Sequence, residues 1–372
     1  MYETAGMGIT AVGVTFNEFT RAWTLGVPAA LGAALLGHTA ASPTPRTVVT
    51  VPRVIRSFAL GPQRLAWIEA TWELRIRRPA TGRTTMIRYT NQHYEGGNPS
   101  LVFSGSRPVW LGERGIYSVT DRVFTTTPAG RAHAVERVAC TPGDGGFVTG
   151  IAGDPTGAVY GVAILHDTSR AGSSPYDLAG GGVWTVADGV SHRVPHLPPP
   201  AYLSRAGRTV ALVPMAETTP NPPGDLTPTD TGTIAALPSG SILATFSVSG
   251  TVQALALSER FLFVLVTHGT ATSIDIHDAR TGKLLRRVSA PRISRLAPKL
   301  SAAGPWVVYH DRRTVSALNG ATGRVTRVAT SNWLVGQAAV QGTTIAWSEQ
   351  KGGGNETVRA NYTPRLRELT LP

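Results

Sequence analysis

Beyond residue 45, apolar residues come in short runs separated by turn residues, and no useful length of chain carries the spacing of an amphipathic helix. The clearest unit is 252–290, where VQALALS, FLFVLVTH, SIDIHDA and KLLRRVSA read as four strands with SER, GTAT and RTG between them. The next unit repeats that order as LAPKLSA, WVVYHD, VSALNG and RVTRVA. Seven runs read as second strands: RLAWIEA (64–70), PVWLGE (108–113), YGVAILHD (160–167), TVALVPM (209–215), FLFVLVTH (261–268), WVVYHD (306–311) and TIAWSEQ (344–350). They are almost continuously apolar, as strands buried on both faces are. Trp67, Trp110, Trp306 and Trp347 recur in them. Packing between neighbouring sheets is their ordinary role, and stacking on a cofactor is the rival reading.

Glycine punctuates the pattern. Gly82, Gly130, Gly189, Gly240, Gly282 and Gly323 follow one another at intervals of 48, 59, 51, 42 and 41 residues. Each sits where a hairpin needs a residue at positive φ. In the last unit the equivalent turn is expected at YTPRLRELTL, with Pro364 in place of glycine. Seven such four-strand units predict an all-β chain: a seven-bladed β-propeller of four-stranded antiparallel blades spanning 46–372. Six or eight blades remain open because the third and fourth units carry insertions. Two stacked sheets would not explain a single spacing. Residues 46–52 are placed to add an outer strand to the last blade and fasten the ring.

Composition narrows the class. Hydrophobic residues make up 42% of the 372, enough for a packed core, and 41 glycines with 27 prolines suit many short strands joined by turns. The net charge is +12 with only 16% charged residues. The cations are mostly arginines spread along the chain, so a nucleic-acid groove is not expected. Cys140 is the one cysteine, which rules out an intramolecular disulfide or a cysteine-based zinc cluster. A small buried core residue is its expected role; a catalytic thiol with His133 is the alternative.

Ahead of the repeats, residues 22–37 (AWTLGVPAALGAALLG) follow Arg21 and precede HTAASPTP. A cation, a short apolar segment and small residues are the parts of a signal peptide. A membrane span needs about 20 apolar residues, so this run is short for one. Residues 1–45 are therefore expected to be a leader and linker, with a signal helix cleaved near Ala40–Ser42. An uncleaved anchor or a buried N-terminal helix are the other readings. The expected location is secreted or associated with the cell envelope.

The stretch WVVYHDRRTVSALNGATGRVTRV, with HDRR at 310–313 and IHDARTGKLLRRV at 276–288, resembles the WD40-like repeat of TolB-type propellers. The resemblance spans 250–330 well and the other units loosely. It implies a periplasmic or extracellular propeller that binds something, often another protein, and carries over no catalytic residue.

Chemistry is sought where second strands end, because loops joining second to third strands open together on one face of a propeller. The candidates there are Glu69, Glu113, His166, Asp167, His268, His310, Asp311 and Glu349, with Asp177 and Asp225 in the insertions. Carboxylates and imidazoles gathered in one ring could hold a metal or serve as acid and base. Equally, polar strand ends simply leave the core, and Asp caps turns. Three insertions, 167–182, 216–232 and 350–356, lie between second and third strands and are expected to stack together as recognition loops. On the opposite rim Arg83, Arg131, Lys283 and Arg324 follow successive hairpin glycines. No GxSxG elbow, phosphate loop, HExxH or CxxC occurs, so no catalytic residue, metal or cofactor is assigned. The expected function is an exported non-enzymatic binding or scaffold protein, a monomer recognising a protein or an anionic envelope polymer, with membrane contact only through an uncleaved leader. The alternative is an extracytoplasmic hydrolase or lyase acting on carbohydrate or a lactone.

Overall fold

Turn glycines and β-branched runs together produce an unbroken succession of antiparallel strands. The computed structural model describes residues 44–370 apart from 70–72, 89–99, 113–119, 140–143, 168–175, 217, 220–227, 291–299 and 352–363. The leader, Cys140, Glu113 and Asp225 lie outside the described residues, as do the side chains of His166, Asp167 and Asp177. The first strand is β1 (Arg46–Thr50). Blade 1 follows as β2 (Ile55–Gly61), β3 (Arg64–Glu69), β4 (Glu73–Arg77) and β5 (Thr84–Arg88); blade 2 is β6 (Leu101–Ser104), β7 (Arg107–Gly112), β8 (Thr120–Thr126) and β9 (Ala132–Ala139). Blade 3 is β10 (Asp144–Asp154), β11 (Gly157–Asp167), β12 (Tyr176–Ala187) and β13 (Val190–Val194). Blade 4 is β14 (Pro200–Ala206), β15 (Thr209–Pro214), β17 (Thr231–Ala236) and β18 (Ile242–Ser247), with the two-residue β16 (Thr218–Thr219) joined to β12 of blade 3. Blade 5 is β19 (Thr251–Leu257), β20 (Phe261–His268), β21 (Ala271–Asp278) and β22 (Leu284–Ala290). Blade 6 is β23 (Ser301–Ala303), β24 (Trp306–His310), β25 (Thr314–Asn319) and β26 (Val325–Thr330). Blade 7 takes β27 (Leu334–Gln341), β28 (Thr344–Gln350) and β29 (Arg365–Thr370) from the end of the chain and β1 from its start.

The seven innermost strands touch in sequence, β2 to β6, β10, β14, β19, β23, β27 and back to β2, so the array closes. The fastening strand expected at 46–52 is β1, paired antiparallel to β29 from Arg46↔Glu368 to Thr50↔Arg365. Val51 N–H donates to the Pro364 carbonyl at 2.8 Å, Arg367 reaches the Pro45 carbonyl at 2.7 Å, and Arg46 pairs with Glu368. This corrects one expectation. Pro364 is not the seventh hairpin turn: it precedes the third strand of blade 7, whose fourth strand arrives from the other end of the polypeptide. No hairpin is needed there, so no glycine is.

Burial follows the blade interfaces. Apolar clusters fill all seven: for example, blades 4 and 5 meet through Val213, Phe246, Leu255 and Val264, and blades 1 and 7 through Phe58, Trp67, Ala346 and Leu366. Trp67, Trp110 and Trp347 are each at most 2% exposed, and Trp306 packs against the seam of blades 6 and 7. The tryptophans are wedges between sheets, which answers the question their recurrence raised.

The hairpins show why the repeated turn has its sequence. Asp278 Oδ1 accepts the N–H groups of Arg280 at 3.1 Å and Thr281 at 2.8 Å; Asn319 Oδ1 accepts those of Ala321 and Thr322 at 3.0 and 3.1 Å. The glycine that follows takes positive φ, +71° at Gly282 and +74° at Gly323. A second demand appears only in three dimensions. Each hairpin of blades 4 to 6 sits against the outer strand, or the residue just past it, of the preceding blade. A Cβ at Gly282 would overlap the Thr245 carbonyl oxygen, and one at Gly240 the Pro195 carbonyl oxygen. Gly130, with φ of +77°, has open space around it.

Two outcomes follow from these hairpins. Gly130→Ala should cost only the left-handed backbone penalty, about 1–2 kcal/mol. Gly282→Ala adds a collision and should cost about 3–4 kcal/mol in chemical denaturation. Equal losses would remove the inter-blade role of Gly282. The second outcome concerns His277, which is buried with Nδ1 3.0 Å from the Gly282 carbonyl oxygen, so the ring donates from Nδ1. Burial pushes its pKa below the ordinary 6.5, outweighing the backbone bond and Asp275, which raise it. A depressed folded pKa means the unfolded chain binds the proton first, so stability is full above pH 6.5 and drains away as pH falls through the folded value. Wild type should therefore lose melting temperature relative to His277→Gln between pH 7.5 and 5. Parallel curves would contradict this.

Candidate binding faces

Strand direction divides the ring into two faces. Connections from second to third strands, and from one blade to the next, emerge on what we call the upper face. Turns from first to second strands and the glycine hairpins emerge on the lower face.

On the upper face the described candidates Glu69 and Glu349 are each held in a structural pair. Glu69, 1% exposed, accepts from Trp67 Nε1 at 3.1 Å and faces Arg75 Nε at 2.7 Å. Glu349, 2% exposed, repeats the arrangement in blade 7: Trp347 Nε1 at 2.7 Å, Arg365 at 2.6 Å and Arg367 at 3.8 Å. The sequence Trp-x-Glu places ring and carboxylate on one face of the second strand, and the third strand brings Arg365 opposite Glu349 and Arg75 opposite Trp67, within reach of Glu69. These carboxylates are charge-neutralised inside the blade. Asp311 caps its turn, accepting the N–H groups of Arg313 at 2.8 Å and Thr314 at 2.7 Å, while His310 Nδ1 lies 3.0 Å from the Asp311 carbonyl oxygen. His268 rests against the backbone of Gly250. Among the described residues no three His, Cys, Asp or Glu side chains come together at metal-binding range. Backbone register sets His166 opposite Asp144 and Asp177 in blade 3.

The insertions behave differently from one another. Thr218 and Thr219 leave blade 4 and pair with Asp177 and Tyr176 of β12, which runs to twelve residues. The segment leading into the blade 4 insertion is thus tied to the strand that leaves the blade 3 insertion, and this paired edge forms a small platform. The third insertion starts after Gln350 in blade 7, three blades from blades 3 and 4 in either direction, and its residues from 352 on lie outside the described residues.

Sequence reading missed a set of partnered aspartates, Asp121 and Asp275 buried and Asp154 half-buried. Asp121 accepts the Val148 N–H of the next blade at 2.7 Å, Asp275 makes a two-pronged contact with Arg287 at 2.6 and 2.8 Å, and Asp154 accepts the Gly207 N–H of blade 4. Asp154 also lies 3.5 Å from Arg205 Nε, whose pKa burial lowers while Asp154 opposes the shift. The polar position in each apolar strand was a visible signal; its partner was not.

The lower face opens into the axis. A cavity of about 790 Å³ is lined by the inner strands of all seven blades and reaches the turns at Pro62, Gly207, Glu259, Gly304 and Gly342. Glu69, His268, His310, Asp311 and Glu349 are not among its lining residues. A second groove of about 550 Å³ runs across blades 2 to 4, with Arg107, Arg205 and Arg208 on its walls. Arg83, Arg131, Lys283 and Arg324 stand exposed on the hairpins of this same face.

No family model matches the chain, and no curated protein matches it. Among solved structures, the Cps50 (Swd1) β-propeller domain of Myceliophteria thermophila is 13% identical with a TM-score of 0.51, covering 87% of this chain and 99% of that one. The computationally designed Ika8 protein gives 14% identity and a TM-score of 0.49, covering 82% and 83%. BamB from Moraxella catarrhalis gives 12% and 0.44, covering 84% and 83%. The first likeness shows the fold, a seven-bladed propeller of four-stranded antiparallel blades.

The ion pairs make a stability prediction. Glu349→Gln leaves Arg365 and Arg367 facing an amide in a buried setting and should cost about 2–3 kcal/mol. Asp311→Asn keeps an acceptor oxygen for the turn and should cost under about 1 kcal/mol. A reversed order in denaturant melts would overturn these roles.

Proposed function

We propose that the chain is an extracytoplasmic, non-enzymatic propeller that binds a protein or cell-envelope ligand through the upper platform of blades 3 and 4. One observation carries the reading. The blade 4 insertion crosses its boundary and adds a strand to blade 3, building a surface that ring closure does not require. Rigid sheets displaying long connections are the usual geometry of recognition. The leader-like residues 22–37 and the TolB-type resemblance over 250–330 support placement outside the cytoplasm. The neutralised Glu69 and Glu349 take two candidate acids away from the hydrolase or lyase reading.

Replacing 168–175 and 220–227 with short Gly-Ser linkers tests the platform. The ring should melt within a few degrees of wild type, and crosslinking in an envelope fraction should lose the wild-type partner at least tenfold. A partner retained in full by the folded variant would overturn the assignment.

A further inference from the structure

Neither ring closure nor the upper platform accounts for the outer edge of the lower face. In blades 3 to 6 the fourth strand begins with aliphatic side chains left in solvent: Val190 is 53% exposed, Ile242 64%, Leu243 51%, Leu284 45%, Leu285 48% and Val325 42%. Each follows its hairpin glycine within three residues, as Gly189-Val, Gly240-Ser-Ile-Leu, Gly282-Lys-Leu-Leu and Gly323-Arg-Val. Single exposed apolar residues are common and need no cause. Exposed aliphatic residues at the start of the fourth strand in four consecutive blades do.

These tips adjoin. The blade 5 hairpin sits on Thr245 of blade 4, and Arg286 of blade 5 donates to the Thr322 carbonyl in the blade 6 hairpin. Cations are interleaved with the aliphatics. Arg280, Lys283, Arg324 and Arg327 are exposed, and among the described residues none of them forms an ion pair. The nearest acid in sequence, Asp278, accepts the N–H groups of its own turn, and its charge also acts on Arg280, leaving Lys283, Arg324 and Arg327 for an external anion. Glu259, on a neighbouring lower turn, is the remaining exposed acid of blade 5.

We propose that this rim docks on a bilayer carrying anionic headgroups. The arginines and lysine meet the headgroups, and the aliphatic tips enter the boundary between headgroups and acyl chains. The apolar half of the surface argues for this occupant. A soluble polyanion would satisfy the cations and leave six aliphatic side chains in water. An acidic strand added to one outer edge would cover one blade, whereas the tips recur on four. A layer meets all of them at once. Leu284 and Leu285, successive in a strand and so on opposite sides of it, are both exposed, which suits immersion of the tip better than contact along one side. This docking is independent of the upper platform and of the leader.

Flotation of the full chain with vesicles tests it. Binding to vesicles of neutral lipid with about one-third anionic lipid should exceed binding to neutral vesicles at least tenfold and should weaken with salt. Leu284→Ser/Leu285→Ser and Lys283→Ala/Arg324→Ala should each reduce flotation about tenfold while melting close to wild type. Because every variant keeps residues 1–45, flotation driven by the leader would leave both variants unchanged and overturn the proposal. It is equally overturned if the leucine variant floats normally and a soluble polyanion competes fully, which would make the rim a purely electrostatic surface. Capture of an acidic peptide by the wild type with no flotation at all would assign the rim to a protein strand instead. The variant lacking 168–175 and 220–227 should float like wild type, which separates this result from the fate of the upper platform.

Discussion

Pairing of β1 with β29 is the constraint on which the ring depends. The four principal strands of every other blade come from one stretch of chain, β16 apart, and can form by local hairpin closure at modest entropic cost. Blade 7 alone joins residues more than 300 positions apart, Arg46 beside Glu368 and Thr50 beside Arg365. Without that ladder β29 would present a row of unpaired backbone groups, and blade 7 would lack its fourth strand. Gln337 strengthens the same boundary. Its amide exchanges two hydrogen bonds with the Phe58 backbone, at 3.1 and 2.9 Å, imitating a strand partner between blades 7 and 1.

Once the circle is shut, stability resides in seams. Each apolar cluster at a blade interface draws from two neighbouring sheets, so a wedge such as Trp67 or Trp347 serves the join and not only its own blade. Polar pins cross the same boundaries: Ser204 accepts from Leu257 N–H at 2.8 Å, and Ser301 accepts from Val340 N–H at 3.0 Å. Hydrogen bonds of this kind add little net energy when satisfied and cost much when one partner is lost. They set angular position more than they add stability.

A ring built this way leaves its two faces free to differ. The upper face gains a composite platform because one insertion crosses a blade boundary. The lower face gains the axial opening and a rim where aliphatic and cationic tips repeat. The apolar seam residues are buried away from both, so loops and tips can vary without disturbing the frame.

Local chemistry determined the blades. Alternating runs, Asx turns and glycines at positive φ are properties of a few adjacent residues, so the second strands, the hairpins and the fastening strand at 46–52 were all legible in sequence. Partnership was not. Glu69 and Glu349 looked like candidate ligands because nothing local shows that the next strand brings Arg75 or Arg365 within reach of them. Asp154 and Asp121 looked unremarkable because their partners belong to another blade. Pro364 looked like a hairpin because its real neighbour, Val51, comes from the far end of the chain. Short-range torsional preference wrote the units, and only closure of the circle decided which of their surfaces would meet.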